Sequence, residues 1–408
     1  MVRTRLTTGG LAEPVVADTA KSLSKMGHRV ILLAWDRTAK GEETITTDWG
    51  TIWKYQEDCS LNNPLAFARK LPGFLRWSTW QILAFQNIEK DIILHYHDLD
   101  TLIAGVFTSK LTELPLVYDS HENYPGLVRG AISSRGVTFL HKIEAYLLNY
   151  CAGIMAATPA CYIRLKDMIK LGSIAPFNAT EEEALKIFST PQSEFLNSRL
   201  TRVGNAKRLD AYPLSRIEKR KRNDNFRLLY IGVLEKHPSR GILETAITVN
   251  KMKGIQFDIG GFGTLVPTIK KICEKMKNVN YIGSIHPDNV PLQTIDSDAV
   301  IMALDPKNDN NRMSAPNKLF EAMSAGVPII TCKELLMGKF VENEEIGITF
   351  EWGKWDRLKA ALMKLVYDKE LQAKMGRRGR KLAEKTHNWE KCEERIESLY
   401  RYVKLNKI

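Results

Sequence analysis

The sequence predicts an α/β protein built from two doubly wound, parallel-sheet domains, and three observations carry that expectation. Short apolar runs alternate with amphipathic helical stretches almost from end to end, as in sheets whose strands are buried on both faces by crossover helices. The alternation is interrupted by a basic run and then starts again. At 408 residues the chain is long enough for two cores of common domain size.

The first domain is expected over residues 1–205. "MVRTRL" stands where a first strand belongs, yet Arg3 and Arg5 occupy positions that a central parallel strand fills with apolar residues; a displaced chain start would account for this. Gly9 and Gly10, in "TTGGLAEP", precede the helical stretch "VVADTAKSLSKMG" (15–27), where backbone can approach a ligand closely. "HRVILLAW" (28–35), "DIILHYHD" (91–98), "PLVYDSHE" (115–122) and "AGIMAAT" (152–158) read as buried strands. In "LPGFLRWSTW" (71–80), Phe74, Trp77 and Trp80 read as the core face of a helix, with an exposed aromatic and basic surface as the alternative. Thr180 followed by Glu183 is a capping box for "EEEALKIF", so "NAT" (178–180) marks a helix start rather than a glycosylation site.

A basic linker is expected over 206–225, where "SRIEKRKRNDNF" (215–226) concentrates positive charge. The second domain, 226–385, carries strands at "FRLLYIG" (226–232), "IQFDIGG" (255–261), "NVNYIGS" (278–284), "AVIMAL" (299–304) and "PIITC" (328–332), with helices between. Residues 386–408 form a terminal helix with helical apolar spacing at Ile396, Leu399, Tyr400 and Val403.

The formal net charge of +12 and pI near 9.2 suggest a negatively charged partner; a phosphate substrate, an anionic lipid surface and nucleic acid all fit. Six scattered cysteines without a C-x-x-C pair read as reduced thiols of a cytoplasmic protein. There is no apolar run near the roughly 20 residues that span a bilayer, and residues 1–25 lack a signal-peptide core.

In doubly wound sheets ligands bind outside the carboxyl ends of the strands, so the loops there are where chemistry is expected. "YIGVLEKHPSRGI" (230–242) runs strand, glycine, basic loop, helix. Gly232 ends the strand, and Arg240 can fork two oxygens of a diphosphate at the next helix start, with Lys236 as a second cation. "IGGFGTL" (259–265) lacks the third glycine of G-x-G-x-x-G and reads as a tight turn at Gly263 lining a nucleotide site. "HYHDLD" and "YDSHE" put His97 and His121 at adjacent strand tips. "DLD" has the form of a D-x-D metal signature, but no accompanying metal cluster is visible and no metal is assigned.

"SAPNKLFEAMSAGVPIIT" (314–331) is the most informative stretch. At about 100° per residue, Asn317, Lys318 and Glu321 share one arc, while Leu319, Phe320, Ala322 and Met323 fill the opposite side. The polar arc lies at a helix N-terminus, where backbone N–H groups and the helix dipole favour an anion.

Together these pieces resemble the retaining nucleotide-sugar glycosyltransferases of family 4, also called group 1, with the GT-B fold of two Rossmann-like domains facing across a cleft. The resemblance covers nearly the whole chain: "GG" before the first helix, "AKSLSKMGHRVILLAW", "HYHDLDTL", "LVYDSHE", "NA" at 205–206, "LLYIGVL" with Arg240-Gly241, "NVNYIGSI", "NKLFEAMSAGVPII" and the terminal helix. It implies that Glu321 accepts hydrogen bonds from the donor ribose, that Arg240 binds the diphosphate, and that His121 approaches the donor sugar. It places His121, Arg240 and Lys318 as catalytic residues. The donor nucleotide-sugar site would comprise Gly232, Lys236, Arg240, Gly263, Asn317, Lys318, Leu319 and Glu321, and Gly9, Gly10 and His97 would line an acceptor or phosphate loop. The terminal helix is expected to return to the N-terminal domain.

Two positions depart from the family pattern. Met313 stands where the first glutamate of a Glu-x(seven)-Glu pair belongs, with Asp309, Asn311 and Arg312 as nearby substitutes, and Val233 stands where a basic residue follows the strand. The implied activity is metal-independent transfer of a sugar from a nucleoside-diphosphate sugar to an acceptor hydroxyl, with retention and without a cofactor. The acceptor is expected to be a glycan or lipid-linked glycan, and the protein cytoplasmic, with an anionic membrane surface as a candidate partner and no nucleic acid. The competing reading is a catalytically inactive or partner-dependent GT-B protein that binds nucleotide sugar.

Overall fold

The computed structural model describes residues 1–406 apart from 5, 7–11, 39–42, 60–63, 129–131, 173–179, 190–195, 221–224 and 237–238. Gly9, Gly10, Arg5 and the first two residues of "NAT" therefore lie outside the described residues. The chain divides into two units, Met1–Gly204 together with Cys392–Ile408, and Asn205–Lys391. The boundary falls within the terminal helix Trp389–Leu405.

The first unit holds eight strands: β1 (Val2–Arg3), β2 (Val30–Asp36), β3 (Thr44–Thr46), β4 (Gly50–Gln56), β5 (Leu94–His97), β6 (Leu116–Ser120), β7 (Gly153–Ala156) and β8 (Leu200–Arg202). Their order is β3-β4-β2-β1-β5-β6-β7-β8, parallel throughout except for the β3–β4 pair. Strands β5, β6 and β7 are buried at every position, which is why they read as continuous apolar runs. The expectation for the first strand needs correction. β1 is only two residues long but central, with Val2 registered against both Leu33 and Tyr96, and Arg3 beside it is 2% exposed. A central parallel strand here tolerates an arginine because carboxylates meet it, as described below.

Right-handed crossovers put helices on opposite faces according to the direction of travel along the sheet. The steps β4→β5, β5→β6 and β6→β7 run one way, so the helices Pro64–Gln86, Leu99–Thr112 and Ser134–Leu147 share a face. The hydroxyls of Thr79 and Thr108, 3.0 Å apart, join the first two, and the third packs on the second. The step β1→β2 runs the other way and puts Pro14–Lys25 on the opposite face. There the terminal helix joins it: Ser22 Oγ donates to Glu393 at 3.0 Å, and Leu399 and Val403 lie against Gly153. Trp35 stacks on Phe67 and Phe74 at 5.5 and 5.9 Å in the core. Glu183 and Thr180 form the expected capping box, each side chain accepting the other's backbone N–H.

The second unit holds β9 (Phe226–Val233), β10 (Ile255–Phe262), β11 (Val279–Gly283), β12 (Ala299–Met302), β13 (Ile329–Cys332) and β14 (Gly347–Phe350), all parallel, in the order β11-β10-β9-β12-β13-β14. This is the doubly wound 3-2-1-4-5-6 arrangement, whose topological switch lies between β9 and β12. The segment read as linker folds onto this unit: Tyr212 is 1% exposed, and Arg216 reaches both Asp296 oxygens at 2.9 and 2.7 Å. The six cysteines are unpaired. Among the described residues no helix is long and apolar enough to cross a membrane.

Candidate functional site

In the second unit, the polar side chains gather at the β9–β12 switch. β9 ends in Gly232, and a Cβ there would sit 2.6 Å from the Lys318 ammonium, so only glycine lets that cation lie against the strand end. Lys318 comes from the helix Asn317–Ala325, which follows β12. That helix starts after Pro316 without a side-chain cap and stops at Gly326, whose φ of 62° is left-handed. Lys318 Nζ lies 4.4 Å from the centre of the Tyr230 ring, a cation–π contact, while the Tyr230 hydroxyl donates to Val233 O at 3.0 Å. Arg240 extends a guanidinium to Tyr230, yet its Nε–H is buried with no acceptor among the described residues.

Lys207 completes the cluster. Its ammonium donates to Asn317 Oδ1 at 2.6 Å and lies 3.5 Å from Glu321 Oε1, while Asn205 Nδ2 donates to Ala315 O at 2.8 Å and fixes the helix entrance. Burial, then Arg240 and Lys207, push the Lys318 pKa down to about 8 against the pull of Glu321. Three cationic side chains thus face one carboxylate in a partly dry site. That imbalance suits an anion with more than one charge.

Gly263 makes the tight turn expected of it. A Cβ on it would meet Leu234 O at 2.4 Å, and Leu265 N–H donates to that same carbonyl at 2.8 Å. The residue lets the loops after β9 and β10 close on each other. Lys236, on the first of these loops, is exposed. Leu319 departs from expectation: its side chain is fully buried and its N–H already donates to Pro316 O at 3.1 Å. Met313 is buried too, at 5% exposure.

The first unit has its own polar centre, at the switch between β1 and β5. Arg3 reaches Asp98 with one nitrogen and Glu13 with two, at 3.0 and 2.6 Å. Burial alone would lower the Arg3 pKa, but Asp98, Glu13 and Asp100 hold it above its ordinary value. Asp98 sits at φ 61°, a left-handed conformation rare outside glycine, and also accepts the His121 backbone N–H at 2.9 Å. Asp100 accepts from Thr4 at 2.6 Å. Both carboxylates of "DLD" therefore bind protein groups.

Strand register brings His97 opposite Asp119. Asp119 Oδ2 lies 3.2 Å from His97 Nδ1, 3.2 Å from His121 Nε2 and 3.5 Å from His95 Nε2. His97 Nδ1 and His121 Nε2 are 2.9 Å apart, and His95 Nδ1 meets the Tyr400 hydroxyl at 2.7 Å. Burial would raise the Asp119 pKa, but His121, His95 and His97 hold it well below the usual carboxylate range. Burial would lower His121, but Asp119 raises it above the ordinary imidazole value, whereas burial pushes His95 and His97 down. Asp119 and His121 thus favour each other's charged forms, while burial disfavours charge on His95 and His97. His121 Nδ1 is the nitrogen turned away from Asp119.

His95, His97 and Asp119 have donor atoms within 4.8 Å of one another and are the described residues that could hold a metal ion. His121 stands outside that group, 2.9 Å from His97 Nδ1, at a hydrogen-bond distance. His97 also corrects an expectation: with no exposed side-chain surface it stands behind His121 rather than in an acceptor loop. Lys207, Tyr230, Asp119, Arg3 and His95 were not picked out from the sequence. Lys207 directly follows the "NA" pair, and His95 lies two residues from His97 on the same strand face, so both left a signal there.

The family model described as Glycosyl transferases group 1 matches residues 213–382, and that for Glycosyltransferase Family 4 matches residues 8–173. No curated protein matches the chain. Among solved structures, sucrose-phosphate synthase from Thermosynechococcus elongatus is similar at TM-score 0.68 and 15% identity, covering 95% of this chain and 92% of that one. Anabaena Alr3699/HepE in complex with UDP-glucose gives 0.62 and 13%, covering 98% of each chain. A glycosyltransferase from Rickettsia africae ESF-5 gives 0.63 and 12%, covering 99% and 98%. At such identities the likeness speaks for the fold, two α/β domains of the GT-B class. With both family models in chain order and that fold beneath them, the chain belongs to the glycosyltransferases of group 1, family 4.

Proposed function

We propose that this glycosyltransferase moves a sugar from a nucleoside-diphosphate sugar to an acceptor hydroxyl, with retention and without a metal. The observation that carries the donor assignment is the cluster of Lys207, Arg240 and Lys318 against a single carboxylate, at the switch point and beside an uncapped helix start. Glu321 is the acceptor for the ribose hydroxyls, and Arg240 and Lys318 are the diphosphate ligands. As the diphosphate departs it gains negative charge, and these fixed donors stabilise it; one such donor is typically worth about 3 kcal/mol. The leaving phosphate then takes the acceptor's proton. His121, held by Asp119, is the residue that orients the donor sugar.

The acceptor is a glycan or lipid-linked glycan, in keeping with the net positive charge of the chain. A second reading, binding without turnover, has its own observation. Met313 places a buried thioether where the family pattern has a carboxylate. A thermal-shift screen against nucleoside diphosphates and their sugars, repeated with Glu321→Ala, tests the donor site. Transfer assays on soluble and lipid-linked acceptors test turnover: a donor that binds but is neither transferred nor hydrolysed would support the second reading.

A further inference from the structure

The segment expected to be a linker instead carries a side chain into the donor site. The Lys207 backbone is anchored on either side. A parallel bridge joins Lys207 to Asn388, and the Trp389 N–H donates to Lys207 O at 2.9 Å. Before it, Asn205 Nδ2 donates to Ala315 O at 2.8 Å; after it, Glu390 Oε1 accepts the Leu209 N–H at 3.4 Å. Lys207 thus reaches Asn317 and Glu321 from a fixed base. Both partners of the Lys207–Glu321 pair keep unused hydrogen-bonding capacity. Of the three N–H donors on the ammonium, one goes to Asn317 Oδ1 at 2.6 Å. Glu321 Oε1, at 3.5 Å, is too far for a normal hydrogen bond. The Glu321 carboxylate accepts no hydrogen bond among the described residues, although its side chain is only 14% exposed.

That spacing selects the chemistry of what can sit there. An oxygen can stand within hydrogen-bond reach, about 2.7–3.0 Å, of both Glu321 Oε1 and Lys207 Nζ at once. A phosphate oxygen would be repelled by the carboxylate and an ammonium by the lysine. A hydroxyl, which donates to one and accepts from the other, satisfies both. The helix names the hydroxyl's owner. Lys318 and Glu321 are three residues apart, so about 4.5 Å along the axis and neighbours on one face. With a diphosphate at Arg240 and Lys318, the next part of a nucleotide along that face is its ribose. Resting on that donor reading, we propose that Lys207 reads the ribose. Its ammonium donates to the hydroxyls from which Glu321 accepts, and the pair selects ribonucleotide donors over deoxyribonucleotide ones. With C–H in place of the hydroxyls, a half-buried carboxylate and a half-buried ammonium both lack a partner. Asn317 positions the lysine by accepting one of its N–H groups.

The test is calorimetric titration of the full chain with UDP, ADP and GDP, with their 2′,3′-dideoxy counterparts, and with inorganic diphosphate. The parent is expected to bind its best ribonucleotide roughly 10- to 100-fold more tightly than the dideoxy form, the usual worth of hydrogen bonds to charged groups. Lys207→Met should cut that preference at least about fivefold. Its affinity for the dideoxy form and for inorganic diphosphate should fall by less, because only the charge of the lysine acts on them. Each preference is a ratio measured within one protein, so partial unfolding of the variant would leave it unchanged, and the thermal midpoint is a further control. The proposal falls if the parent binds both forms equally, or if Lys207→Met keeps the parent's preference. It also falls if the variant loses affinity for ribonucleotide, dideoxynucleotide and inorganic diphosphate alike, which would assign Lys207 to the phosphates. A parent that binds none of these ligands overturns the donor reading itself, whereas nucleotide binding that ignores Lys207 overturns this role alone.

Discussion

Each unit gathers charged side chains at the point where its strand order reverses, and the two clusters are balanced in opposite ways. In the first unit Arg3 meets Asp98 and Glu13, and Asp119 meets three imidazoles. In the second, Lys207, Arg240 and Lys318 share Glu321. The first cluster balances its charges internally, although the buried Asp119 Oδ2, Asp100 Oδ1, His95 Nε2 and His97 Nε2 have no hydrogen-bond partner among the described residues, and its work is to hold His121 and the β5 and β6 tips in place. The second is left with excess positive charge that only a ligand can meet. Charge balance marks the supporting cluster, and charge imbalance marks the binding one.

The largest expected effect breaks the charge-balanced cluster. Arg3→Met would leave Asp98 and Glu13 facing each other across a site with no cation. Removing one partner of a buried pair typically costs about 3–5 kcal/mol. Urea unfolding followed in the first unit should show a loss of that order, with nucleoside-diphosphate affinity in the second unit kept. A cost below about 1 kcal/mol would mean that the Arg3 network is solvated and carries little of the fold.

Next comes the unbalanced cluster, where the same kind of deletion should change function rather than stability. Lys318→Met removes a buried cation whose neighbours are cations, so the fold should hold or gain, while donor turnover should fall on the order of 100-fold, the usual loss for one donor to a developing anion. Transfer or donor-hydrolysis rates, read beside the thermal midpoint, check both halves. If stability collapses instead, Lys318 is a structural residue and the contrast between the clusters fails.

Glu321→Ala has a smaller effect and sharpens the assignment within the second unit. A hydrogen bond to a charged group contributes about 1.5–3 kcal/mol, so nucleotide affinity should fall roughly 10- to 100-fold. Affinity for inorganic diphosphate should not fall, because the variant removes negative charge beside Lys207 and Lys318. Equal losses for both ligands would place Glu321 against the phosphates rather than the ribose. Isothermal calorimetry with the two ligands separates these outcomes.

Much of this was legible in the sequence, for reasons that differ by residue. Strands β5, β6, β7, β9, β10, β12 and β13 are buried parallel strands and announce themselves as apolar runs. β4 was not foreseen because it alternates, with Lys54 buried against Asp36 in the sheet. β3 and β8 are three residues long, and β14 is only half-buried in its middle, so none leaves a clear apolar run to read. Arg3 misled because a buried charge is apolar-compatible only through its partners, and Asp98 is 95 residues away. Lys318 and Glu321 were visible because helical spacing places them on one arc. Lys207 was hidden because its link to Asn317 spans 110 residues.

The smallest expected effects are those of pH, and they too separate the clusters, by sign. His121 has a folded pKa raised above its unfolded value near 6.5. The folded state therefore holds a proton that the unfolded state has lost, and the stability this contributes is present below pH 6.5 and fades as pH rises through the raised value. Lys318 is the reverse: its folded pKa is about 8 against an unfolded 10.5. Between those values the unfolded state binds more protons, so stability attributable to this group rises with pH. Each slope is at most about 1.4 kcal/mol per pH unit. Urea midpoints should fall with rising pH from 6.5 in the parent but not in His121→Gln, and should rise from pH 8 in the parent but not in Lys318→Met. Ligand binding carries the stronger signal for the second site, since a diphosphate favours the protonated lysine. Its affinity should be flat below pH 8 once the phosphate is fully ionised, and fall by up to about tenfold per unit above it. In Lys318→Met that decline should vanish. If the decline persists in the variant, another group is titrating, and the excess positive charge of the second cluster does not reside on Lys318.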